Sequence, residues 1–586
     1  MMDRENEGIF LLDMGACEPK SAVGEEFARG KWATVEYSIE QGRGRMLFSG
    51  PDSQAPPICL KLPVSGWYHI FIGTYRHPLF PDSCLLLKLA SDPAYSRATT
   101  ENFRPEKDLV SPEMLPGPAD LCEAYWKSVA LTEGEVILFH RPAAGSMADT
   151  IANITYVHLI PLSEEERKRA ENERGRADTR RLIANFDGGQ HHMWAYATTD
   201  EVRDEFQAVA GSDFGIALWG VGRSFATFYP SRIASEIDWA FGMPGVMRVG
   251  LQSVDRRRRH GFDPLAAAVE CAHEAGVELY PQMRMSGEQW PPNHLQYGGP
   301  GEFQSQHPEF RCLTSEGYAT RHLSQAFPEV RSKYVQLFRE WVEEYGADGV
   351  CIVFCRSWPY ALYEEPVLAS FKELHGTDMR KLDFFDDRIL DHRASFLTTL
   401  LRETRQMLDE VGAKLGRRLG TCYVVPATGY TPQDCPDLGP FTTPRSRAMD
   451  LETWVREGLV DHLVTHIESI GQPDGSDVGS ILAPWVELAK DSATQVHADL
   501  YPRRQSADSM RIRALACYET GVDGLCFWDC QGRAQRLSGW AMHRLLGHRE
   551  ELDEMKEFAD SLFRRTPLIE LDGFQAQNEF CVPTDG

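Results

Sequence analysis

Two rhythms of apolar and polar positions divide this chain. From about Gly8 to Leu162 the apolar residues alternate in short runs, at 33–37, 58–62, 67–72, 84–89, 136–139 and 154–160, separated by Gly, Pro and Asp. A period of two with frequent turn residues predicts an all-β sandwich. The stretch Ser163-Glu164-Glu165-Glu166-Arg167-Lys168-Arg169 then opens a charged segment reaching Arg181, which reads as an exposed connecting helix. Beyond it, short apolar runs alternate with helix-length amphipathic segments. Eight strands are predicted, at 182–187, 214–219, 277–285, 349–356, 418–425, 461–467, 494–501 and 524–529. The segment 247–252 is a rival ninth and is read as loop. Eight such units predict an α/β fold, a (β/α)8 TIM barrel behind an N-terminal β-sandwich. The expected domains are a sandwich over 1–162, a helical linker over 163–181, a barrel over 182–566 and an irregular tail over 567–586.

One phrase recurs within the barrel: Gly346-Ala347-Asp348-Gly349-Val350 and Gly521-Val522-Asp523-Gly524-Leu525. Each copy follows a helical pattern and leads into an apolar run. A glycine at a helix end supplies positive φ, and the run suits a strand buried on both faces. Asp348 and Asp523 fall at strand starts, the stability face of a barrel, and read as turn and cap residues.

Composition narrows the partners. The 586 residues hold 61 Lys and Arg against 86 Asp and Glu, a formal charge of −25, which opposes nucleic acid and anionic membranes. The polar, acidic start and the absence of an apolar run of about 18 residues predict a cytoplasmic protein with no membrane partner. The 14 Cys are scattered without a CxxC pair and read as buried free thiols. The basic run Arg256 to His260 reads as a solvated loop.

Chemistry in this fold sits at the C-terminal strand ends. There the sequence puts Asp187, His191, His192 and Trp194 after strand one, Trp219 and Arg223 on strand two, and Gln282 and Arg284 on strand three. Arg356, Trp358, Tyr363, Glu364 and Glu365 follow strand four, and Tyr423 lies on strand five. His466 and Glu468 come from strand six, His497, Asp499 and Tyr501 from strand seven, and Trp528, Asp529 and Gln531 from strand eight. Aromatic faces cover sugar rings and polar groups bond their hydroxyls. Cleaving a glycosidic bond requires one carboxyl as proton donor and a second as nucleophile or base. Glu364 and Glu365, between Tyr363 and Pro366, are the candidate donors, with Glu468 and Asp499 as candidate partners. Asp187, His192, Trp194, Trp219, Arg284, Arg356, Tyr363, Tyr423, His466, His497, Trp528 and Asp529 are the candidate substrate contacts. No cofactor and no metal are expected. A zinc lyase or hydrolase using His191, His192, His466 or His497 is the competing chemistry, but adjacent histidines on a strand point to opposite sides.

The segment from Arg181 to Leu546 resembles bacterial glycosyl-hydrolase-like barrels related to family 10. The resemblance rests on His307-Pro308-Glu309-Phe310, Phe327-Pro328-Glu329-Val330-Arg331, Ala347-Asp348-Gly349-Val350, Leu451-Glu452-Thr453-Trp454-Val455, Glu457-Gly458-Leu459-Val460-Asp461 and Gly521-Val522-Asp523-Gly524-Leu525. It implies a (β/α)8 hydrolase acting on carbohydrate, often with an added carbohydrate-binding sandwich. Such barrels commonly place an acid near the end of strand four, where this chain has Val353 and Phe354. Three readings stay open: the acid has moved to Glu364 or Glu365, other residues catalyse, or the barrel binds sugar without cleaving it. The sandwich is expected to bind sugar, brace the barrel, or join copies in a homo-oligomer.

Overall fold

In the computed structural model, Gly346 and Gly521 both adopt positive φ, 74° and 95°, so each repeated phrase does turn out of a helix through a glycine. The aspartates that follow bind backbone at the foot of the neighbouring strand. Asp348 Oδ2 accepts from Leu279 N (2.8 Å), and Asp523 Oδ2 accepts from Val496 N (2.8 Å). Asp461 does the same for Thr421 N (2.9 Å). Each satisfies an amide that would otherwise be orphaned at a sheet end.

The structure describes residues 8–75, 83–99, 120–142, 150–173, 176–187, 196–236, 257–285, 302–355, 358–427, 441, 443–466, 478–500, 506–528, 530 and 536–575. Eight parallel strands close a barrel: Leu182–Phe186, Phe214–Arg223, Glu278–Arg284, Gly349–Val353, Gly420–Pro426, His462–His466, Gln495–Leu500 and Gly524–Trp528. The first pairs with both the second and the eighth, which closes the ring. The predicted eight are the observed eight; segment 247–252 lies outside the described residues. Inside the ring, Ile183, Ile216, Leu218, Tyr280, Cys351, Val353, Cys355, Cys422, Val424, Val464, Cys526 and Trp528 form one packed cluster. The alternate residues, among them Trp219, Phe354 and Tyr423, pack outward against the helices. Among the described residues no helix is long and apolar enough to cross a membrane.

The sandwich is built from antiparallel sheets over a shared core that includes Trp32, Leu47, Ile70, Leu85, Ile137 and Val157. Its connecting helix, Glu164–Glu173, buries no residue, as its charge predicts. The C-terminal segment differs from the expected barrel end at 566 and irregular tail over 567–586. Phe563–Pro567 pairs antiparallel with Asp120–Leu131, and Glu570–Leu571 pairs with Trp32–Ile39. The end of the chain therefore covers edges of the N-terminal sheets, which would otherwise present unpaired backbone; residues 576–586 lie outside the described residues. Sandwich and barrel share buried surface. Phe71, Tyr125 and Ile160 join the barrel's outer core, and Leu537 joins the sandwich core.

Candidate active site

Strand seven carries the central carboxyl. Along Gln495–Leu500 side chains alternate, so His497 and Asp499 share a face. Asp499 is 1% exposed, and His466, at the end of strand six, is 2% exposed. His466 Nδ1 and Asp499 Oδ2 are hydrogen-bonded. The His466 ring also lies against Trp528 of strand eight, with centroids 4.3 Å apart. Burial pushes the Asp499 carboxyl above its ordinary value; the hydrogen bond from His466 opposes this, and the charge of Asp187 adds to the rise. A buried carboxyl beside an aromatic wall and a second carboxylate is the setting in which a carboxylic acid keeps its proton.

Asp187, just past strand one, is the second carboxylate. Arg284, from the end of strand three, places Nη2 3.1 and 3.0 Å from its two oxygens. That ion pair fixes the orientation of the Asp187 side chain at the mouth. Beneath it Asn185 and Gln282 form an amide pair: Gln282 Nε2 donates to Asn185 Oδ1 (2.5 Å) and to Phe186 O (3.0 Å). The sequence reading does not single out Asn185. Its place two residues before Asp187, on the same strand face, is the signal that would have found it.

The remaining candidates separate into distinct environments. Glu364 is 1% exposed and accepts backbone hydrogen bonds from Leu313 N (3.0 Å) and Leu362 N (2.9 Å); burial raises its carboxyl. It ties the loop after strand four to the Arg311–Leu313 strand. Glu365 is exposed at the start of helix Glu365–His375, and Tyr363 packs on the apolar cluster around Phe371. Trp219 and Tyr423 lie in the outer layer, Trp219 against Phe186 and Phe206 and Tyr423 against Phe354 and Trp454. These two therefore stand behind the barrel wall and not at its mouth, the opposite face from the expected one. His497 sits low in the barrel, its Nε2 3.1 Å from His462 Nδ1, and burial lowers its pKa well below the ordinary value. His191, His192, Trp194, Arg356, Glu468, Tyr501, Asp529 and Gln531 lie outside the described residues.

The buried position of Glu364 gives a prediction. Glu364→Ala removes the acceptor of two buried amides, at a cost of about 1–3 kcal/mol per orphaned donor. Exposed Glu365→Gln should stay within about 0.5 kcal/mol of the parent. Denaturant unfolding of the two variants checks this, and activity per folded molecule should be retained in both.

His466 is engaged with Asp499 and His497 with His462. Among the described residues, Glu173, His548 and Glu551 bring ligand atoms within metal-binding reach of one another. That cluster is already threaded by cations: His548 bonds Asp213 and Glu173, and Arg176 lies 3.3 Å from Glu173 and 3.0 Å from Glu551.

No protein-family model matches this sequence, and no curated protein matches it. Solved structures that it is similar to are glycosidases by name. The alpha-L-fucosidase isoenzyme 2 from Paenibacillus thiaminolyticus aligns with a TM-score of 0.40 at 12% identity, over 65% of this chain and 50% of the fucosidase. An alpha-galactosidase from Thermus thermophilus aligns at TM-score 0.34 and 12% identity, over 92% of this chain and 99% of its own. A ruminal GH26 endo-beta-1,4-mannanase aligns at TM-score 0.29 and 8% identity, over 92% and 96%. This chain thus spans half the length of the fucosidase. What the barrel mouth can do follows from its own side chains.

Proposed function

We propose that this protein is a glycoside hydrolase in which Asp499 donates the proton to the leaving oxygen and Asp187 serves as nucleophile or base. The observation that carries the reading is the contrast between two neighbouring carboxyls at one barrel mouth. Asp499 is buried and pushed toward its protonated form, whereas Asp187 is paired with Arg284. Paired carboxyls in unlike environments divide into acid and base. Trp528 and His466 would wall the sugar site, and the resemblance of the 181–546 segment to family-10-related barrels points the same way. This reading moves the bet on the proton donor from Glu364 and Glu365, which bind backbone or face solvent, to Asp499.

The experiment is turnover of nitrophenyl glycosides and release of reducing ends from soluble polysaccharides by the parent, Asp187→Asn and Asp499→Asn proteins. The parent should act on at least one neutral glycoside. Removing either carboxyl should cost at least about 10²-fold against an unactivated substrate. Parental turnover in both variants would sink the assignment. Sugar binding by a parent that never releases product would make this a silent binding barrel.

A further inference from the structure

The amide pair under the mouth has unused valences. Asn185 is 0% and Gln282 2% exposed, yet Asn185 Nδ2 and Gln282 Oε1 have no hydrogen-bond partner among the described residues. Their other atoms explain the orientation. Gln282 Nε2 is spent on Asn185 Oδ1 and Phe186 O, so neither amide gains by rotating in place. One amide donor and one acceptor remain, buried, on strands one and three, two residues before Asp187 and Arg284. Leaving both unpaired in a low-dielectric interior costs free energy, and a ligand that satisfied both would recover it.

The geometry points to a hydroxyl-binding floor made by Asn185 and Gln282, which fixes one particular hydroxyl of the sugar. This rests on reading the mouth as a glycoside site. A hydroxyl both donates and accepts, so it satisfies Gln282 Oε1 and Asn185 Nδ2 together. A carboxylate or phosphate offers acceptors alone and would set its charge against Gln282 Oε1. An ammonium offers donors alone and would face Asn185 Nδ2. Asn185 and Gln282 are thus specificity-determining residues.

The test uses the full chain and 4-nitrophenyl glycosides of glucose, galactose, mannose, xylose and fucose. For the best neutral substrate, the monodeoxy analogues are compared in the parent and in Asn185→Asp. That substitution keeps the oxygen that receives Gln282 Nε2 and replaces only the orphan donor. In the parent, removal of one particular hydroxyl should cut kcat/KM by at least about 10²-fold, because a site built to bond a hydroxyl rejects its absence. In Asn185→Asp the same removal should cost no more than about 3-fold, since coupled partners lose their shared interaction once. Equal deoxy penalties in parent and variant at every position would overturn the proposal. Should Asn185→Asp fail to fold, Asn185→Ala, which removes the same orphan donor, carries the comparison. If the parent turns over none of these glycosides, calorimetric titration of the free neutral monosaccharides separates the two readings. Binding that Asn185→Asp abolishes supports the floor while refuting hydrolysis, and no binding of any neutral sugar overturns the floor as well.

Discussion

Asp499→Asn should lose about 10²- to 10⁴-fold in kcat/KM on glycosides with alcohol leaving groups, the scale of general acid catalysis. It should lose far less on a dinitrophenyl glycoside, whose leaving group departs without a proton. The asymmetry follows from the role: an amide in the same volume can still pack against His466 and Trp528 but cannot supply a proton. The pH profile gives a second readout. Burial raises the Asp499 carboxyl, and the active form is the protonated one. Parental kcat/KM should therefore persist to higher pH than an ordinary aspartic acid would allow, then fall as pH rises through that raised value. In Asp499→Asn this alkaline limb should vanish. An equal loss on activated and unactivated substrates, with the limb unchanged, would remove Asp499 from the acid role. Asp187→Asn should behave differently, losing activity with every leaving group.

The largest effect on stability is expected at His548. Its side chain is fully buried, with Nδ1 2.7 Å from Asp213 Oδ2 and Nε2 2.8 Å from Glu173 Oε2. Burial alone would lower its pKa, but the two carboxylates outweigh that and raise it to about 10. Asp213 is itself held by Thr179 Oγ1 (2.6 Å) and Gly547 N (2.8 Å), so one imidazolium fastens the connecting helix to the foot of the barrel. His548→Ala leaves a buried carboxylate uncompensated, a loss of about 3–5 kcal/mol. Glu173 is a third exposed, so solvent weakens its share and Asp213 carries most of the effect. The sign with pH is fixed by the direction of the shift. A histidine whose folded pKa exceeds its ordinary 6.5 contributes fully below 6.5, progressively less from there to about 10, and nothing above. Urea unfolding across that range should show a decline in the parent that His548→Ala lacks. Superimposable pH dependences would contradict the linkage.

Some of this was legible in the residues because its causes are local. Gly346 and Gly521 need positive φ, and Asp348 and Asp523 sit where a strand start offers an unpaired amide. The eight apolar runs are long enough to be strands and too short to be helices. The sandwich, the charged linker and the barrel follow from such short-range patterns.

The faces of the strands were another matter. Alternation assigns a face only when one side is polar, and a parallel barrel strand is apolar on both. Nothing in Phe214–Arg223 or Gly420–Pro426 marks Trp219 and Tyr423 as outward, so their aromatic character made them look like sugar contacts. Strand four shows the same ambiguity: Val353 faces inward and Phe354 outward. Neither supplies an acid. Glu364 was misleading for a different reason, since its carboxylate is turned by Leu313, a partner 51 positions away. The tail reads as irregular because Glu570–Leu571 is too short to carry alternation, and its strand exists only through pairing with Trp32–Ile39.

The sequence by itself determined that this chain alternates strand and helix eight times behind a sandwich, and that Asp187, Arg284, His466, Asp499 and Trp528 stand at strand ends. Those are consequences of period, turn chemistry and position along each strand. Only the tertiary structure decided that these five share one mouth, that Asn185 and Gln282 pair beneath it, and that Glu364 binds the backbone of Leu313 and Leu362. The physical reason is closure: the residues that meet at a barrel mouth come from strands hundreds of positions apart, and their burial, which raises the Asp499 carboxyl, exists only once the ring is complete.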